Sequence, residues 1–165
     1  MITLYRIVKE KWEESAFDGE GSRLYGGRWN SIGRSAVYVA ASESLAILEI
    51  LVHLKNTKVL ENYVLFTLEL DEADALVLEN YDLPDNWNEE PAPLQTAEIG
   101  DQWLSSYSSL ALAIPSTIVP REQKYVLNTK HPGYPKLIKT AKKQEILSIP
   151  GFYKSATPTV NVRGH

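Results

Sequence analysis

The 165-residue sequence contains no cysteine, which excludes a disulfide framework and any chemistry that depends on a thiolate. It contains no apolar run near the roughly 18 residues of a membrane span, and charged residues stand where the apolar region of a signal peptide would lie. Basic residues are outnumbered by acidic ones, 17 to 21, which argues against binding to nucleic acid through a general basic surface. We therefore predict a cytoplasmic protein that does not cross a membrane and does not itself bind nucleic acid.

Several catalytic motifs are also missing. Gly19 and Gly21 begin a dinucleotide-binding fingerprint, but leucine stands at position 24, where the third glycine is needed. The sequence has no Walker A motif, no His-Glu-x-x-His and no Gly-x-Ser-x-Gly elbow. The three histidines share no metal-ligand spacing, so no metal site is predicted. A Ser–His–Asp triad stays open, because its members need only meet in space.

The most distinctive feature present is a glycine-rich stretch at residues 19–30. It holds four of the nine glycines, together with Arg23, Arg28 and Trp29. Glycine lets backbone N–H groups approach a ligand closely, and arginine presents a planar fork suited to phosphate or carboxylate. The stretch predicts a loop that binds an anionic, nucleotide-like ligand.

Residues 42–54 predict a helix with Ser42 as its N-cap. The helix is apolar nearly all round, which is typical of a buried helix. Only Glu49 and His53 interrupt the apolar pattern, and their spacing of four puts them on one face. The pattern alone leaves two interpretations open, a solvent-facing stripe or a carboxylate that faces a pocket.

The remaining pattern predicts an α+β protein. Predicted strands lie at residues 3–8, 36–40, 63–70, 75–78, 110–114, 117–119, 125–128 and 145–149, and further helices at 97–109 and 134–143. Strands alternate irregularly with a few helices, and no linker or repeat divides the chain. We predict one domain over residues 1–153, followed by a loosely ordered tail at 154–165.

Five short motifs stand in order along the chain. They are Gly26-Gly27-Arg28-Trp29-Asn30-x-x-Gly33, Val37-Tyr38-x-Ala40, Ser44-Leu45-Ala46-x-Leu48-Glu49-x-Leu51-Val52-His53, Ile114-Pro115-Ser116-x-Ile118-Val119-Pro120 and Asn128-x-x-His131-Pro132. Together they resemble the RES domain family over roughly residues 4–149. The ordered set is far more specific than any single motif.

The resemblance implies a split mixed β-sheet core with flanking helices, related to the fold of ADP-ribosyltransferases. It further implies a bacterial toxin that is held silent by a cognate Xre-type antitoxin protein. Such a toxin degrades NAD⁺ at the nicotinamide–ribose bond, by hydrolysis or phosphorolysis, and arrests growth. NAD⁺ would then be a substrate, with no permanently bound cofactor. Two alternatives stay open: an ADP-ribosyltransferase that modifies a protein, and a non-enzymatic binding module.

The resemblance also assigns functional residues. The catalytic set it implies is Arg28, Tyr38, Glu49 and Ser116, and the NAD-binding set is Arg6, Arg28, Tyr38, Ser116 and Asn128. Pattern alone allows Arg6 to be an outward residue of an edge strand. Nicotinamide leaves as a neutral molecule from a cationic ring, so no general acid is required and one carboxylate suffices. Glu49 would be that carboxylate, and it would stabilise the positive charge that develops on the ribose.

Overall fold

The computed structural model describes residues 1–53 and 62–146 of the chain, in which strands and short helices alternate. The strands are β1 (Ile2–Lys9), β2 (Ala36–Ala40), β3 (Tyr63–Leu70), β4 (Ala75–Val77), β5 (Ala111–Pro115), β6 (Gln123–Asn128) and β7 (Lys142–Gln144). The α-helices are α1 (Glu20–Tyr25), α2 (Glu43–His53), α3 (Leu94–Ser106) and α4 (Tyr134–Ile138). Short 3₁₀ helices lie at Glu10–Ser15, Glu72–Asp74 and Asn80–Asp82.

The strands form a single mixed sheet in the order β4-β5-β6-β2-β1-β3-β7. Only β4 and β5 run parallel; the other neighbouring pairs are antiparallel. β1 pairs with β3 along its whole length, from Ile2 to Lys9, whereas it meets β2 at the single Cα pair Tyr5 and Ala40. The sheet therefore separates into two halves between β1 and β2, which confirms the predicted split mixed sheet with flanking helices.

The core lies on both faces of this sheet because alternate residues of each strand point to opposite faces. Val37 and Val39 of β2 pack in a cluster with Leu4 of β1 and with α4. Ala36 and Tyr38 of the same strand pack in a second cluster with Trp29 and α3. A third cluster lies under α2, where its buried residues contact β1 and the end of β2. Helix α2 thus sits over the gap between the two halves of the sheet.

Three predictions about helices require correction. Residues 19–30 do not form one loop, because α1 occupies six of them between Gly19 and Gly26, which both have a φ of 71°. This is a conformation in which a side chain would be strained. Helix α2 is only partly buried, since Leu48 and Val52 are exposed. Helix α3 begins three residues earlier than predicted, directly after Pro93.

Two predictions after residue 115 also require correction. Residues 117–119 do not form a strand, because the Ser116 hydroxyl accepts hydrogen bonds from the N–H groups of Ile118 and Val119 and closes a turn. The predicted helix at 134–143 ends at Ile138, and residues 142–144 form β7 instead. Most of the predicted strand at 145–149, and the whole tail at 154–165, fall outside the described residues. Within the described ranges, no helix is both long enough and apolar enough to span a membrane.

Candidate active site

Helix α2 directs Glu49 toward the gap between β1 and β2. The helix begins where the Ser42 hydroxyl accepts a hydrogen bond from the Leu45 N–H at 3.1 Å, as the sequence predicted. Leu45 and Ala46 are buried against the sheet. Glu49 lies one turn further along, and its side chain is 21% exposed. Of the two interpretations left open by the sequence, the structure supports a carboxylate that faces a pocket.

Ser116 holds one oxygen of that carboxylate. It follows Pro115 at the end of β5 and is fully buried, at 0% exposure. Its hydroxyl donates to Glu49 Oε1 at 3.2 Å while accepting the two turn N–H groups described above. A buried hydroxyl with three partners has little freedom to rotate, so Ser116 fixes the orientation of the Glu49 side chain.

Lys124 holds the other oxygen, a contact that the sequence analysis did not anticipate. Its ammonium donates to Glu49 Oε2 at 2.7 Å and lies 5.7 Å from the centroid of the Tyr38 ring. β5 and β6 form an antiparallel pair in which Ile114 lies opposite Lys124. Ser116 and Lys124 therefore reach α2 from the same end of the sheet. In the sequence, Lys124 directly precedes the predicted strand at 125–128, and that position does not identify its partner.

Arg6 bridges the gap between the two halves of the sheet. Its Nε donates to the carbonyl of Ala16 at 2.5 Å, and its Nη1 donates to the carbonyl of Tyr38 at 2.8 Å. Burial lowers the pKa of the Arg6 guanidinium, while Tyr134 and Asp18 oppose the shift. The bond to Tyr38 connects β1 and β2 where the backbone ladder between them is lost. The structure therefore does not support the interpretation of Arg6 as an outward residue of an edge strand.

Tyr38 presents its ring to the site and its hydroxyl to the glycine-rich segment. The hydroxyl accepts a hydrogen bond from the Trp29 N–H at 3.0 Å and donates to Asn30 Oδ1 at 2.7 Å. Burial raises the pKa of this phenol, while its hydrogen bond to Trp29 opposes the shift, so the hydroxyl stays protonated at neutral pH. Its hydrogen-bonding groups are used within the protein, which leaves the ring as the part available to a ligand.

These residues surround a cleft of about 220 Å³. Its lining residues include Arg6, Tyr38, Glu49, His53 and Lys124, whereas Ser116 bonds to Glu49 without lining the cleft. A larger cleft of about 560 Å³ shares Arg6 and Ile7 with the first and extends along the 3₁₀ helix at Glu10–Ser15 and helix α1. A site of this kind offers one oriented carboxylate, two cations and an aromatic face.

Arg28 and Asn128 do not line this cleft. Arg28 donates to the carbonyls of Trp87 and Glu89 at 2.9 and 2.8 Å, and it forms an ion pair with Glu90. These contacts anchor the glycine-rich segment to the loop that precedes α3.

Asn128 is buried at the opposite end of β6 from Lys124. It donates to the carbonyl of Leu104 at 3.0 Å and accepts from the Lys130 N–H at 3.1 Å. Four residues along a strand correspond to about 13 Å. Of the six residues predicted for the site, the structure thus brings Arg6, Tyr38, Glu49 and Ser116 together. Across residues 1–53 and 62–146, no group of three or more acidic or histidine side chains is placed to hold a metal ion.

Comparison with known proteins links this geometry to one family. Residues 3–148 match the RES domain. A protein named Toxin Res from Yersinia enterocolitica is 44% identical over 133 residues, which cover 81% of this chain and 88% of that protein. A protein named Prs ADP-ribosylating toxin from Sphingobium is 36% identical over 159 residues, which cover 93% of this chain and 98% of that protein.

A solved structure supports the fold independently. The chain is similar to one in the crystal structure of the Mycobacterium tuberculosis MbcT–MbcA toxin–antitoxin complex, with a TM-score of 0.64. The similarity covers 90% of this chain and 84% of that chain, at 19% sequence identity. At this identity the comparison shows a shared fold.

Proposed function

The chain belongs to the RES domain family, and we propose that it is the toxin of a toxin–antitoxin pair that degrades NAD⁺ by cleaving the nicotinamide–ribose bond. Loss of NAD⁺ would then arrest growth. The observation that carries the proposal is the Glu49 carboxylate, which is oriented by buried Ser116 and lines a cleft together with Arg6 and the ring of Tyr38.

The chemistry of NAD⁺ suits a site with one carboxylate. When the bond between ribose C1′ and the pyridine nitrogen breaks, its electron pair goes to the nitrogen and nicotinamide leaves neutral. The ribose then carries the positive charge as an oxocarbenium ion, which a nearby carboxylate stabilises. Water or inorganic phosphate attacks C1′, and its proton is released to solvent. Glu49 would supply the negative charge, with no general acid needed for the leaving group.

The dimensions and charges of the two clefts support dinucleotide binding. Nicotinamide would stack on the Tyr38 ring beside Glu49, and the rest of the dinucleotide would extend past Arg6 into the larger cleft of about 560 Å³. Ligand sites typically measure about 300–1,000 Å³. Arg6 would offer its remaining donors to ribose or pyrophosphate oxygens. For Arg28 to bind NAD⁺ as well, it would exchange its bonds to the loop at 87–90 for substrate oxygens.

The first experiment would follow NAD⁺ and nicotinamide by chromatography, using purified protein without its antitoxin, with and without inorganic phosphate. We expect nicotinamide release by the wild type and a loss of about 10²–10³-fold in Glu49→Gln, comparable to removing one preorganised electrostatic contact. Free ADP-ribose or its 1-phosphate would distinguish hydrolysis from phosphorolysis. Glu43→Gln is the matched control, because Glu43 lies on the same helix but is exposed. Full activity in a folded Glu49→Gln protein would remove the catalytic assignment.

A second candidate function is ADP-ribosylation of a protein. It is favoured by the Sphingobium relative, whose name describes an ADP-ribosylating toxin and which matches nearly its whole length. The same cleft and the same Glu49 would serve, with a protein side chain replacing water as the group that attacks C1′. NAD⁺ labelled in its adenylate half, incubated with the toxin and a cell extract, would transfer label to a protein band only in this case. Label that moves from NAD⁺ to free ADP-ribose or its 1-phosphate, with no labelled protein, would support NAD⁺ degradation.

We also propose a cognate antitoxin of the Xre type that blocks the cleft. Support comes from the structural neighbour, which was solved as a toxin–antitoxin complex. Purified complex would then release no nicotinamide until the antitoxin is removed. A complex structure with both clefts open to solvent would contradict the blocking mechanism.

A further inference from the structure

The two oxygens of Glu49 are held in very different ways. Oε1 accepts from Ser116, which is fully buried and fixed by the turn at Ile118 and Val119. Oε2 accepts from Lys124, whose side chain is 21% exposed and lines the cleft. One contact is rigid, and the other comes from a long, flexible side chain at the surface of the site. Oε1 therefore keeps its partner when Lys124 moves away from Oε2.

Lys124 also lies close to the Tyr38 ring, on which the nicotinamide would stack. Its ammonium lies 5.7 Å from the Tyr38 ring centroid, within the range of a cation–π interaction. The same ammonium therefore engages both the free oxygen of Glu49 and the aromatic face of Tyr38. These are the groups assigned above to the cationic end of NAD⁺.

We propose that Lys124 is an internal competitor of the substrate and thereby sets the affinity of the site for NAD⁺. Its ammonium mimics the cationic nicotinamide–ribose group, and substrate reaches Glu49 only when Lys124 has swung away. This inference rests on the proposed function for the identity of the ligand, but it makes a separate prediction about binding.

The size of the effect follows from the fraction of time that Lys124 is away from Glu49. The apparent dissociation constant equals the intrinsic one divided by the fraction of molecules that can bind. Lys124 and Glu49 are each partly exposed, so their ion pair is of modest strength. A pair that is formed in about 70–90% of molecules weakens binding about three- to tenfold. A positive charge that stays near the site would also oppose the developing oxocarbenium ion.

The test compares Lys124→Met, which removes the charge but keeps an unbranched side chain, with Lys124→Arg, which keeps the charge. Binding is measured by calorimetry with a carbocyclic NAD⁺ analogue, which carries the cationic nicotinamide but cannot be cleaved. We expect Lys124→Met to lower the dissociation constant about three- to tenfold, and to lower KM for NAD⁺ similarly without lowering kcat. Lys124→Arg should bind the analogue no more tightly than the wild type.

Lys136→Met is the matched control, since it removes one charge from an exposed position on α4. It should leave the dissociation constant unchanged. Unchanged binding in Lys124→Met, or a fall in kcat at constant KM, would overturn the competitor role. If no variant cleaves NAD⁺ but Lys124→Met still binds the analogue more tightly, the competitor role stands and the proposed activity falls. The two ideas can therefore fail separately.

Discussion

At the scale of single residues, the site contains one carboxylate, Glu49, with one oxygen held firmly and the other accessible. Buried Ser116 limits the motion of Glu49, while the contact with Lys124 leaves the second oxygen open to exchange. Electrostatic catalysis depends on groups that are oriented before the reaction begins, because reorientation during it would use up the stabilisation. We therefore propose that Ser116 acts as a positioning residue for Glu49, while the contact with NAD⁺ that the family resemblance implies stays a prediction.

Replacing Ser116 with alanine should affect both stability and rate. The N–H groups of Ile118 and Val119 lose their acceptor, which should lower the free energy of unfolding by about 1–3 kcal/mol, measured by urea denaturation. Glu49 loses its rigid partner, so we expect kcat for NAD⁺ to fall by about tenfold, with a smaller change in KM. Ser108→Ala, at an exposed position, should change neither quantity. A stable and fully active Ser116→Ala protein would show that Lys124 is sufficient to orient Glu49.

The sequence predicts Glu49 and Ser116 as site residues, but it predicts neither their contact with each other nor the presence of Lys124. A glutamate interrupting an apolar helix, within an ordered set of motifs, is a local signal that predicts a functional carboxylate. Ser116 and Lys124 stand 67 and 75 positions away from Glu49 along the chain. Both residues contact Glu49 because the β5–β6 pair packs next to α2. No local sequence pattern predicts this tertiary contact.

At the scale of secondary-structure elements, helix α3 packs against the C-terminal end of the glycine-rich stretch at residues 19–30, called the motif below. A Cβ at Gly100 would lie 1.7 Å from the carbonyl oxygen of Trp29, so the helix and the motif are in direct backbone contact. One helical position further, Asp101 accepts a hydrogen bond from the Ser31 N–H at 2.9 Å. Tyr38 bonds to the same motif from the sheet side. The motif is therefore held between α3 and β2, which gives it a structural role.

Gly100→Ala should separate α3 from the motif. The methyl group would overlap backbone atoms that cannot rotate away, and such overpacking typically costs about 1–3 kcal/mol of the free energy of unfolding. Thermal and urea denaturation would measure the loss. Gly21→Ala is the comparison, because a Cβ there meets nothing within 4 Å and α1 should gain up to about 1 kcal/mol from the better helix former. Equal stability of the two variants would contradict the close contact.

Elements with strong local patterns were predicted well from sequence. The predicted strand at 36–40 has the bounds of β2, and the one at 63–70 has the bounds of β3. Two of the errors lie where a side chain or a glycine redirects the backbone. The Ser116 hydroxyl replaces a predicted strand with a turn, and Gly19 and Gly26 frame a helix inside a predicted loop. In these places the decisive interactions involve only one or two residues, too few to produce a periodic signal.

At the scale of the whole molecule, the gap in the sheet both creates the site and concentrates buried polar groups. Arg6 links the halves of the sheet through the Tyr38 carbonyl, and the Tyr134 hydroxyl donates to the carbonyl of Phe17 at 2.6 Å on the neighbouring segment. Burial is the largest cause of the raised pKa values of Tyr38 and Tyr134. The features that form the cleft thus also make the stability of the fold depend on pH.

We expect the free energy of unfolding to decrease as pH rises above about 10. Tyrosine in the unfolded chain ionises near pH 10, whereas Tyr38 and Tyr134 keep their protons to higher pH in the folded protein. The folded state then binds more protons than the unfolded state, so stability that is fully present below pH 10 is lost as pH rises, by up to about 1.4 kcal/mol per pH unit for each tyrosine. Urea denaturation at pH 8 and pH 10.5 would measure the decrease.

Tyr38→Phe should be less stable at pH 8, because the Trp29 N–H and Asn30 lose their partner, and should show a smaller decrease between the two pH values. Tyr25→Phe, at a position 82% exposed, should reproduce the wild-type decrease; if Tyr38→Phe does so as well, the buried phenol at the gap is not a source of the pH dependence.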